Sequence, residues 1–329
     1  MLRVAMLSKW HVHAEGYAEY MKNQSEVEVA AVWDEDARRG ADWARELGAD
    51  FEPCLDTLLA RKDIDAVVCC TPTNLHPSVM IRAAKAGKHI FTEKVAALTV
   101  KDCLALREAV RENHVVFTIS FPQRTEAKFL YAKKLVDDGT LGDVTMLRVR
   151  NGHNGATAGW LPNYWYDPET TGGGAMMDLG AHPMYLARWL MGEPESVNSM
   201  FASYTYRQVE DSAVCSIRFK NHAIGVVEST LASFCSPYIM EIYGTKGTYY
   251  VTDDGARLAV DGTDGLQPVE IPEECAALPS PLRQFVDSCV YGKPVLFGID
   301  DALGLTELMD AAYRAGQENR TVRIAELYE

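Results

Sequence analysis

The sequence lacks the features that mark a membrane protein, a nucleic-acid-binding protein or a zinc ribbon. No apolar run approaches the ~20 residues of a membrane span, and Lys9 and His11 interrupt the short apolar start, which argues against a signal peptide. The net charge of −14 disfavours nucleic-acid and anionic-membrane partners. The eight cysteines form no C-x-x-C pair and mostly lie in apolar runs. This cysteine usage favours a reducing, cytoplasmic location.

Three short catalytic signatures are also missing. The sequence has no H-E-x-x-H zinc motif, no G-x-S-x-G nucleophile elbow and no Walker loop. His11 and His13 lie one residue apart, but two ligands do not make a zinc site, so no metal is predicted.

The chain is long enough for two domains, because a domain typically contains ~100–200 residues and this sequence has 329. Strand-like and helix-like segments alternate over the first ~120 residues, which is typical of a parallel α/β sheet. Strand-like runs then follow one another, interrupted by a helix near 174–190 and closed by two helices near 281–291 and 300–319. The sequence therefore predicts an α/β Rossmann domain over 1–121, followed over 122–329 by an α+β domain with a large, mostly antiparallel sheet.

The turn after the first strand lacks the glycines of a dinucleotide-binding fingerprint. It reads Ser8-Lys9-Trp10-His11-Val12-His13, and the bulk of Trp10 stands where a bare backbone is usually needed. Taken alone, this turn argues against dinucleotide binding. One hypothesis is that His11 or His13, together with Lys9, supplies the charge that a glycine backbone would otherwise replace.

Other residues of the first half favour a dinucleotide. Asp34 ends the second strand, where an acidic side chain can bind the ribose hydroxyls; its alternative role is a helix N-cap. A carboxylate there repels a 2′-phosphate, so NAD is favoured over NADP.

Two later segments follow strands at the carboxyl edge of the predicted sheet, where ligands bind in this fold. The first is a loop containing Thr71, Pro72, Thr73, Asn74 and His76. The second is the pair Glu93-Lys94, which comes directly after an apolar strand. An ordinary polar loop and a solvated ion pair are the alternative interpretations.

Taken together, these motifs resemble the Gfo/Idh/MocA family of glucose–fructose oxidoreductases and inositol dehydrogenases. The sequence carries T-P-x-x-x-H from Thr71, A-G-K-H from Ala86 followed by Glu93-Lys94, and G-G-G-x-x-x-D-x-G-x-H from Gly172. The match spans nearly the whole chain in the family's order. The resemblance implies a nicotinamide cofactor and catalytic roles for Lys94, Asp178 and His182.

The sequence departs from that family at three places. The glycine fingerprint is absent, Val95 replaces the proline that follows the lysine, and Tyr185 stands where the family's H-x-x-D motif has its acid. The family's Lys–Pro bond is often cis, whereas a cis bond to a non-proline residue costs ~3–4 kcal/mol. We therefore expect a local rearrangement or a strained bond at Val95, and at Tyr185 we expect the acid's role to be either lost or taken over by a phenol.

The three candidate catalytic residues suit the oxidation of a secondary alcohol, which needs a hydride acceptor, a base and a group that stabilises the alkoxide. His182 is the candidate base, and Asp178, four positions earlier on a predicted helix, would orient it or the substrate hydroxyl. Lys94 would polarise the oxygen. The preceding run Gly172–Gly174 would let the backbone pass close to a ligand with its N–H groups exposed, or it is simply a flexible turn.

Further candidates would line the cofactor or substrate. The predicted cofactor-binding residues are Ser8, Trp10, His11, Asp34, Thr71, Pro72, Thr73, Asn74, His76, Glu93, Lys94 and Arg124. The predicted substrate contacts are Asn151, His153, Trp160, Tyr164, Trp165 and Tyr185, of which the aromatic ones could instead form a core or a subunit contact.

The predicted function is hydride transfer between nicotinamide and a secondary hydroxyl or ketone of a sugar, polyol or sugar derivative. Two alternatives stay open: an enzyme that oxidises a sugar transiently with NAD to cleave a glycosidic bond, and a non-catalytic nucleotide sensor. The apolar strand runs of the second half predict a homodimer or homotetramer that pairs through this sheet.

Overall fold

The computed structural model describes all residues, Met1–Glu329, and the chain divides into two compact units. The first unit contains residues 1–120 and 279–303, and the second contains 121–278 and 304–329. The sequence alone predicts a single boundary at residue 121, whereas the chain re-enters the first unit near its end. None of the helices combines the length and the apolar composition that crossing a bilayer requires.

The first unit is built on a parallel six-stranded sheet of order β3-β2-β1-β4-β5-β6. Its strands are β1 (Leu2–Leu7), β2 (Val27–Trp33), β3 (Asp50–Phe51), β4 (Ala66–Cys69), β5 (His89–Thr92) and β6 (Phe117–Ile119). The helices between them are α1 (Ala14–Lys22), α2 (Ala37–Leu47), α3 (Leu55–Ala60), α4 (His76–Lys85) and α5 (Val100–Glu112). The order and direction of these strands are those of the predicted Rossmann domain.

Local sequence signals fix the ends of several of these elements. β4 is buried at every position, as expected of a strand covered on both faces of a parallel sheet. Thr99 caps α5 by accepting the N–H of Asp102, and Asp36 caps α2. Gly48 ends α2 with a φ of 70°, a left-handed backbone that glycine adopts without strain.

The helix α10 (Pro281–Tyr291) completes the core of the first unit. Its apolar residues Leu282, Phe285 and Val286 are buried in one cluster with Val4 and Phe91. The rings of Phe285 and Phe91 lie 5.8 Å apart. Periodicity shows that this helix has an apolar face but not which sheet the face covers, which is why the predicted boundary misses it.

The second unit is built on a nine-stranded sheet of order β14-β13-β12-β11-β7-β10-β9-β8-β15. Its strands are β7 (Val144–Gly152), β8 (Pro194–Ala202), β9 (Ser212–Phe219), β10 (Ile224–Thr230), β11 (Ile239–Gly244), β12 (Gly247–Thr252), β13 (Gly255–Val260), β14 (Gln267–Pro268) and β15 (Val322–Arg323). The pair β7–β10 is parallel and the other neighbours are antiparallel, so the predicted mostly antiparallel sheet is confirmed.

Helices accompany this sheet before and after its strands. They are α6 (Ala127–Asp137), α7 (Gly155–Ala158), α8 (Pro168–Thr171) and α9 (Ala181–Met191), with α11 (Ile299–Glu318) near the end of the chain. One turn of π-helix, Met176–Gly180, runs directly into α9. The predicted continuous helix over 174–190 is therefore a wider turn followed by an α-helix, which changes the relative direction of Asp178 and His182.

Candidate active site

The β1–α1 turn contains no glycine and has one residue with a left-handed backbone. Ser8 has a φ of 73°, so a serine holds the left-handed conformation that glycine normally supplies. The backbone donors of the turn are used inside the protein: Lys9 N–H donates to Asp34 at 2.9 Å, Trp10 N–H to Ser8 Oγ at 3.1 Å, and His11 N–H to the carbonyl of Cys70 at 3.1 Å. This turn thus differs from a glycine-rich one in the donors it offers to a diphosphate.

Asp34 lies at the end of β2 with only 2% of its surface exposed. Its carboxylate accepts the N–H groups of Lys9 and Asp36, and Arg39 Nε donates to it at 2.9 Å. Asp36 rather than Asp34 caps α2, so the N-cap interpretation of Asp34 is wrong. Arg39 also pairs with Glu35, and two carboxylates beside one guanidinium leave this position negative.

The loop after β4 is held in place by a buried histidine. Thr71 and Thr73 are buried in this loop, and Asn74 is exposed. His76 Nδ1 lies 2.7 Å from the carbonyl of Val95, and its Nε2 lies 3.0 Å from that of Thr71. Burial lowers the pKa of His76, although the two carbonyls oppose this shift. Both ring nitrogens therefore face acceptors, and a neutral ring can donate to only one of the two carbonyls.

Glu93 and Lys94 are both buried, with 1% and 6% of their surfaces exposed, so the solvated-pair interpretation is wrong. Glu93 lies 2.8 Å from His13 Nδ1, accepts the N–H of Lys94 at 3.1 Å and accepts a hydrogen bond from Tyr17. Burial would raise the pKa of Glu93, but His11, His13 and Lys94 hold it well below its usual value. The Lys94–Val95 peptide bond is cis, at the position where a rearranged or strained bond is expected.

These observations bear on whether the first unit fits NAD. It has the strand order of a dinucleotide-binding domain, the left-handed residue at Ser8 and a carboxylate at the end of β2. The difference lies in the β1–α1 turn, which carries Trp10, His11 and His13 and has no glycine. The ammonium of Lys9 is held by Glu15 at 2.8 Å and Glu46 at 2.9 Å, so its charge is already paired.

In the second unit, several candidate residues gather around the π-turn that carries Asp178. Trp165 Nε1 donates to Asp178 at 3.1 Å, and Asn151 donates to the carbonyl of Leu179 at 3.2 Å. Burial lowers the pKa of His153, whereas the nearby charge of Asp178 acts to raise it. Asn151, Trp165 and Asp178 therefore form one polar cluster around this π-turn, and His153 lies within reach of the charge of Asp178.

His182 contacts Tyr185, the residue that departs from the family's H-x-x-D motif. Its Nδ1 lies 3.0 Å from the hydroxyl of Tyr185, which accepts the N–H of Gln123 at 3.2 Å. Tyr185 is 2% exposed and stacks on Phe121, with ring centroids 4.2 Å apart. An ionised aspartate could only accept a proton from Nδ1, whereas a phenol can accept from it or donate to it. Either tautomer of His182 is therefore compatible with this contact.

The glycine run is packed against protein rather than exposed to a ligand. Gly174 N–H donates to Glu210 at 3.0 Å, and Gly173 N–H faces Thr171 Oγ1 at 3.4 Å. A Cβ on Gly173 would lie 2.0 Å from the hydroxyl of Tyr313, and one on Gly174 would lie 1.9 Å from the carbonyl oxygen of Glu210. The expectation of exposed N–H groups is wrong, because these glycines allow a close approach of Glu210 and Tyr313.

The aromatic segment before the glycine run is divided between surface and interior. Trp160 and Tyr164 are 56% and 41% exposed, whereas Trp165 is 5% exposed. Trp160 lies beside His153, with ring centroids 4.6 Å apart. The exposed pair is available for stacking on a ligand, and Trp165 positions Asp178.

Arg124 lies in a short 3₁₀ turn, Pro122–Thr125, of the second unit. Its guanidinium sits 4.9 Å from the ring centroid of Trp189, a cation–π contact. The side chain of Arg124 thus packs on an aromatic ring of its own unit. Its predicted contact with the cofactor stays a prediction.

Three residues of these networks were not identifiable as site residues in the sequence. Tyr17 lies four positions after His13, so both can point toward Glu93, and this spacing is the available signal. Arg39 lies five positions after Asp34, at the start of the following helix. Ser120 lies 3.0 Å from the Tyr17 hydroxyl, and no local pattern marks it.

Comparison with known proteins connects both units to one family. Residues 11–121 match the family described as "Oxidoreductase family, NAD-binding Rossmann fold", and residues 129–250 match the "GFO/IDH/MocA C-terminal domain". The 2,7-anhydro-N-acetylneuraminate hydratase of Mediterraneibacter gnavus is 31% identical over 252 residues, which span 74% of this chain and 66% of that protein. The inositol 2-dehydrogenase of Rhizobium meliloti is 27% identical over 285 residues, 82% of this chain and 84% of that one.

A solved structure agrees over almost the whole chain. The crystal structure of GenD2 from gentamicin A biosynthesis in complex with NAD has a TM-score of 0.83 and 28% identity, covering 98% of this chain and 96% of that chain. Both domains, in this order, therefore have counterparts within a single family. The chain belongs to the Gfo/Idh/MocA family of NAD-binding oxidoreductases.

Proposed function

We propose that this protein transfers a hydride between NAD and a secondary hydroxyl or ketone of a sugar, polyol or sugar derivative. The observation that carries the proposal is the polar cluster at the π-turn of the second unit, where Trp165 donates to Asp178 and Asn151 donates to the adjacent carbonyl of Leu179. Side chains of this kind, next to the exposed rings of Trp160 and Tyr164, suit a ligand that has several hydroxyls and an apolar ring face.

We propose separate roles for the three catalytic candidates. His182 exchanges the proton of the substrate hydroxyl, and its contact with Tyr185 lets either ring nitrogen carry the proton. Asp178 accepts a hydrogen bond from a substrate hydroxyl or orients the imidazole of His182. The hydrogen bond from Trp165 holds the carboxylate of Asp178 in place. Lys94, from the first unit, stabilises the negative charge that develops on the substrate oxygen. When bound, NAD supplies the hydride acceptor.

The proposed cofactor is NAD rather than NADP. Asp34, with Glu35 beside it, gives the end of β2 a net negative charge that disfavours a 2′-phosphate even with Arg39 present. Further NAD contacts are proposed from the Ser8–His11 turn, the 71–74 loop, Glu93 and Arg124. His76 would act indirectly, since both its nitrogens face protein carbonyls.

The test is a panel of sugars, inositols and anhydrosugars incubated with NAD, followed by the near-ultraviolet absorbance of reduced nicotinamide. At least one polyhydroxylated substrate should yield NADH in proportion to the ketone formed. A chain that binds no NAD, or that oxidises simple alcohols as well as any sugar, would contradict the proposal. A protein that binds NAD but turns over nothing would support the nucleotide-sensor alternative.

A second candidate function keeps NAD but produces no net reduction. It is favoured by the relative named as a hydratase, because adding water is not a net oxidation. In such an enzyme the same residues would oxidise a sugar hydroxyl to a ketone, with NAD taking up the hydride. Loss of the acidified proton on the neighbouring carbon would expel the oxygen substituent one carbon further on, water would add to the resulting double bond, and the same hydride would be returned to the ketone. Product analysis distinguishes the two functions: the substrate would be consumed without accumulation of NADH.

We also propose that two copies pair through the outer face of the nine-stranded sheet. Ile224, Met146 and Tyr243 lie opposite one another on β10, β7 and β11, and they are 46%, 37% and 38% exposed. A row of apolar side chains across three strands is unfavourable in water.

We propose a cytoplasmic location for this protein. The eight cysteines are free thiols, which supports a reducing compartment.

Light scattering should therefore give the mass of a dimer or tetramer. The double variant Ile224→Asp/Met146→Asp should shift this mass toward the monomer, because two charges per copy would be desolvated on pairing. Tyr291→Asp, at an apolar residue outside the sheet that is 60% exposed, serves as the control. A monomeric native protein would refute the pairing.

A further inference from the structure

Two histidines and a carboxylate of the first unit lie close enough to share one ion. His11 and His13 come from the β1–α1 turn, and Glu93 follows β5 some 80 residues later. One ligand atom from each lies within 4.8 Å of the others. The Oε1 atom of Glu93 is 2.8 Å from His13 Nδ1 and 3.9 Å from His11 Nδ1.

This residue set matches the preferences of divalent transition metals. Imidazole nitrogens and carboxylate oxygens bind zinc, iron(II) and similar ions with bonds of about 2.0–2.2 Å. Tetrahedral bonds of that length separate neighbouring ligand atoms by roughly 3.3 Å. The two distances to Glu93 bracket this value, whereas the three ligand atoms as a set span up to 4.8 Å, so the two imidazole rings must move toward each other to share an ion.

The surroundings also resemble a metal site rather than a surface cluster. Glu93 and His11 are buried, whereas the His13 side chain is 53% exposed, so one side of the site is accessible to water or a ligand. Tyr17 and the N–H of Lys94 donate to Glu93 and hold its carboxylate in place. Such outer contacts orient metal ligands and are typical of metal sites.

We propose that His11, His13 and Glu93 form a site for one divalent transition-metal ion, such as zinc. The sequence alone offers the two histidines, and the fold adds the third ligand. His11 Nδ1 now accepts the N–H of His13 at 3.2 Å, so metal binding replaces this hydrogen bond or uses the other ring nitrogen. Metal binding requires neutral imidazoles, so the ion would replace any protons that His11 and His13 carry.

The site explains why the turn can lack glycines, an extension that rests on the proposed binding of NAD. The N–H groups of Lys9, Trp10 and His11 are used inside the protein. A cation in this turn supplies the positive charge that a diphosphate otherwise receives from exposed N–H groups. We therefore expect NAD to bind more tightly to the metal-loaded protein than to the metal-free protein.

The test begins with full-length protein stripped by a chelator and titrated with zinc by calorimetry and with cobalt(II) by visible absorption. One ion per chain should bind, and His13→Ala and His11→Ala should each weaken binding about 100-fold or more. His222→Ala, at an exposed histidine outside the site, should bind like the native protein. Thermal denaturation of each metal-free variant verifies that it is folded.

The possible results distinguish failure of the metal site from failure of the proposed oxidoreductase function. The site is refuted if no ion binds stoichiometrically, or if folded His13→Ala binds zinc as tightly as the native protein. The link to NAD is refuted if the dissociation constant of NAD changes less than twofold on metal loading; we expect about tenfold. If zinc binds as expected but NAD binds to neither form, the proposed oxidoreductase function fails and the metal site stands.

Discussion

Replacing Lys94 with alanine should lower kcat by about a thousandfold on any substrate that the native protein oxidises. Loss of a group that stabilises charge or transfers a proton in the transition state typically costs 10²–10⁴-fold. Lys94 is 6% exposed, so water cannot easily take the place of its ammonium. Its hydrogen bond to Glu93 comes from the backbone N–H and survives the substitution. NAD affinity should therefore change only a few fold, as measured by titration of the folded variant.

Lys88 provides the matched control, since it is another buried lysine just before β5. Its ammonium donates to the carbonyls of Arg61 and Ile64, both at 2.7 Å, which is a structural role. Lys88→Ala should lower the free energy of unfolding by about 1–3 kcal/mol, since two buried acceptors lose their donor. It should leave kcat near the native value. Equal losses of kcat in both variants would show that burial of the charge, and not its position, explains the effect of Lys94.

The sequence predicts the layout of the first unit because several local signals agree at each element. Ala66–Cys69 is a short apolar run with two valines that ends before Thr71-Pro72, and its length and composition favour a strand buried on both faces. Thr99 and Asp102 predict the start of α5, and the hydrogen bond between them confirms it. The destination of α10 is not predictable in this way, since an apolar helix face can cover either sheet.

The sequence predicts where the candidate site residues lie along the sheet, but not which side chains surround them. Strand ends in a parallel sheet meet at one edge, so Asp34 and Glu93 are correctly placed there by strand assignment alone. The partners of Glu93 come from a turn some 80 residues away, and their charges lower its pKa although burial would raise it. The sequence also cannot say whether a glycine run faces a ligand or another segment, because both need the same absence of a side chain.

The glycine run therefore yields the largest expected effect on stability. Gly174→Ala should lower the free energy of unfolding by about 3 kcal/mol, the upper part of the range for overpacked cores. The added Cβ would lie 1.9 Å from the carbonyl oxygen of Glu210 and 3.0 Å from Val209 Cβ. The nearer atom belongs to the backbone and cannot rotate away. The shift would also disturb the Glu210 carboxylate, which accepts hydrogen bonds from Gly174, Met176 and Tyr313.

Thermal and urea denaturation measure this change, with Gly16→Ala as the matched glycine substitution. A Cβ on Gly16 meets nothing within 4 Å, and this residue lies inside α1. Gly16→Ala should therefore be neutral or stabilising by roughly 0.5–1 kcal/mol, because alanine is the better helix former. Native stability of Gly174→Ala combined with a loss of turnover would reverse the assignment, since the run would then serve the ligand. If Gly174→Ala loses stability but its folded fraction keeps native turnover, these glycines serve the packing of Glu210 and Tyr313.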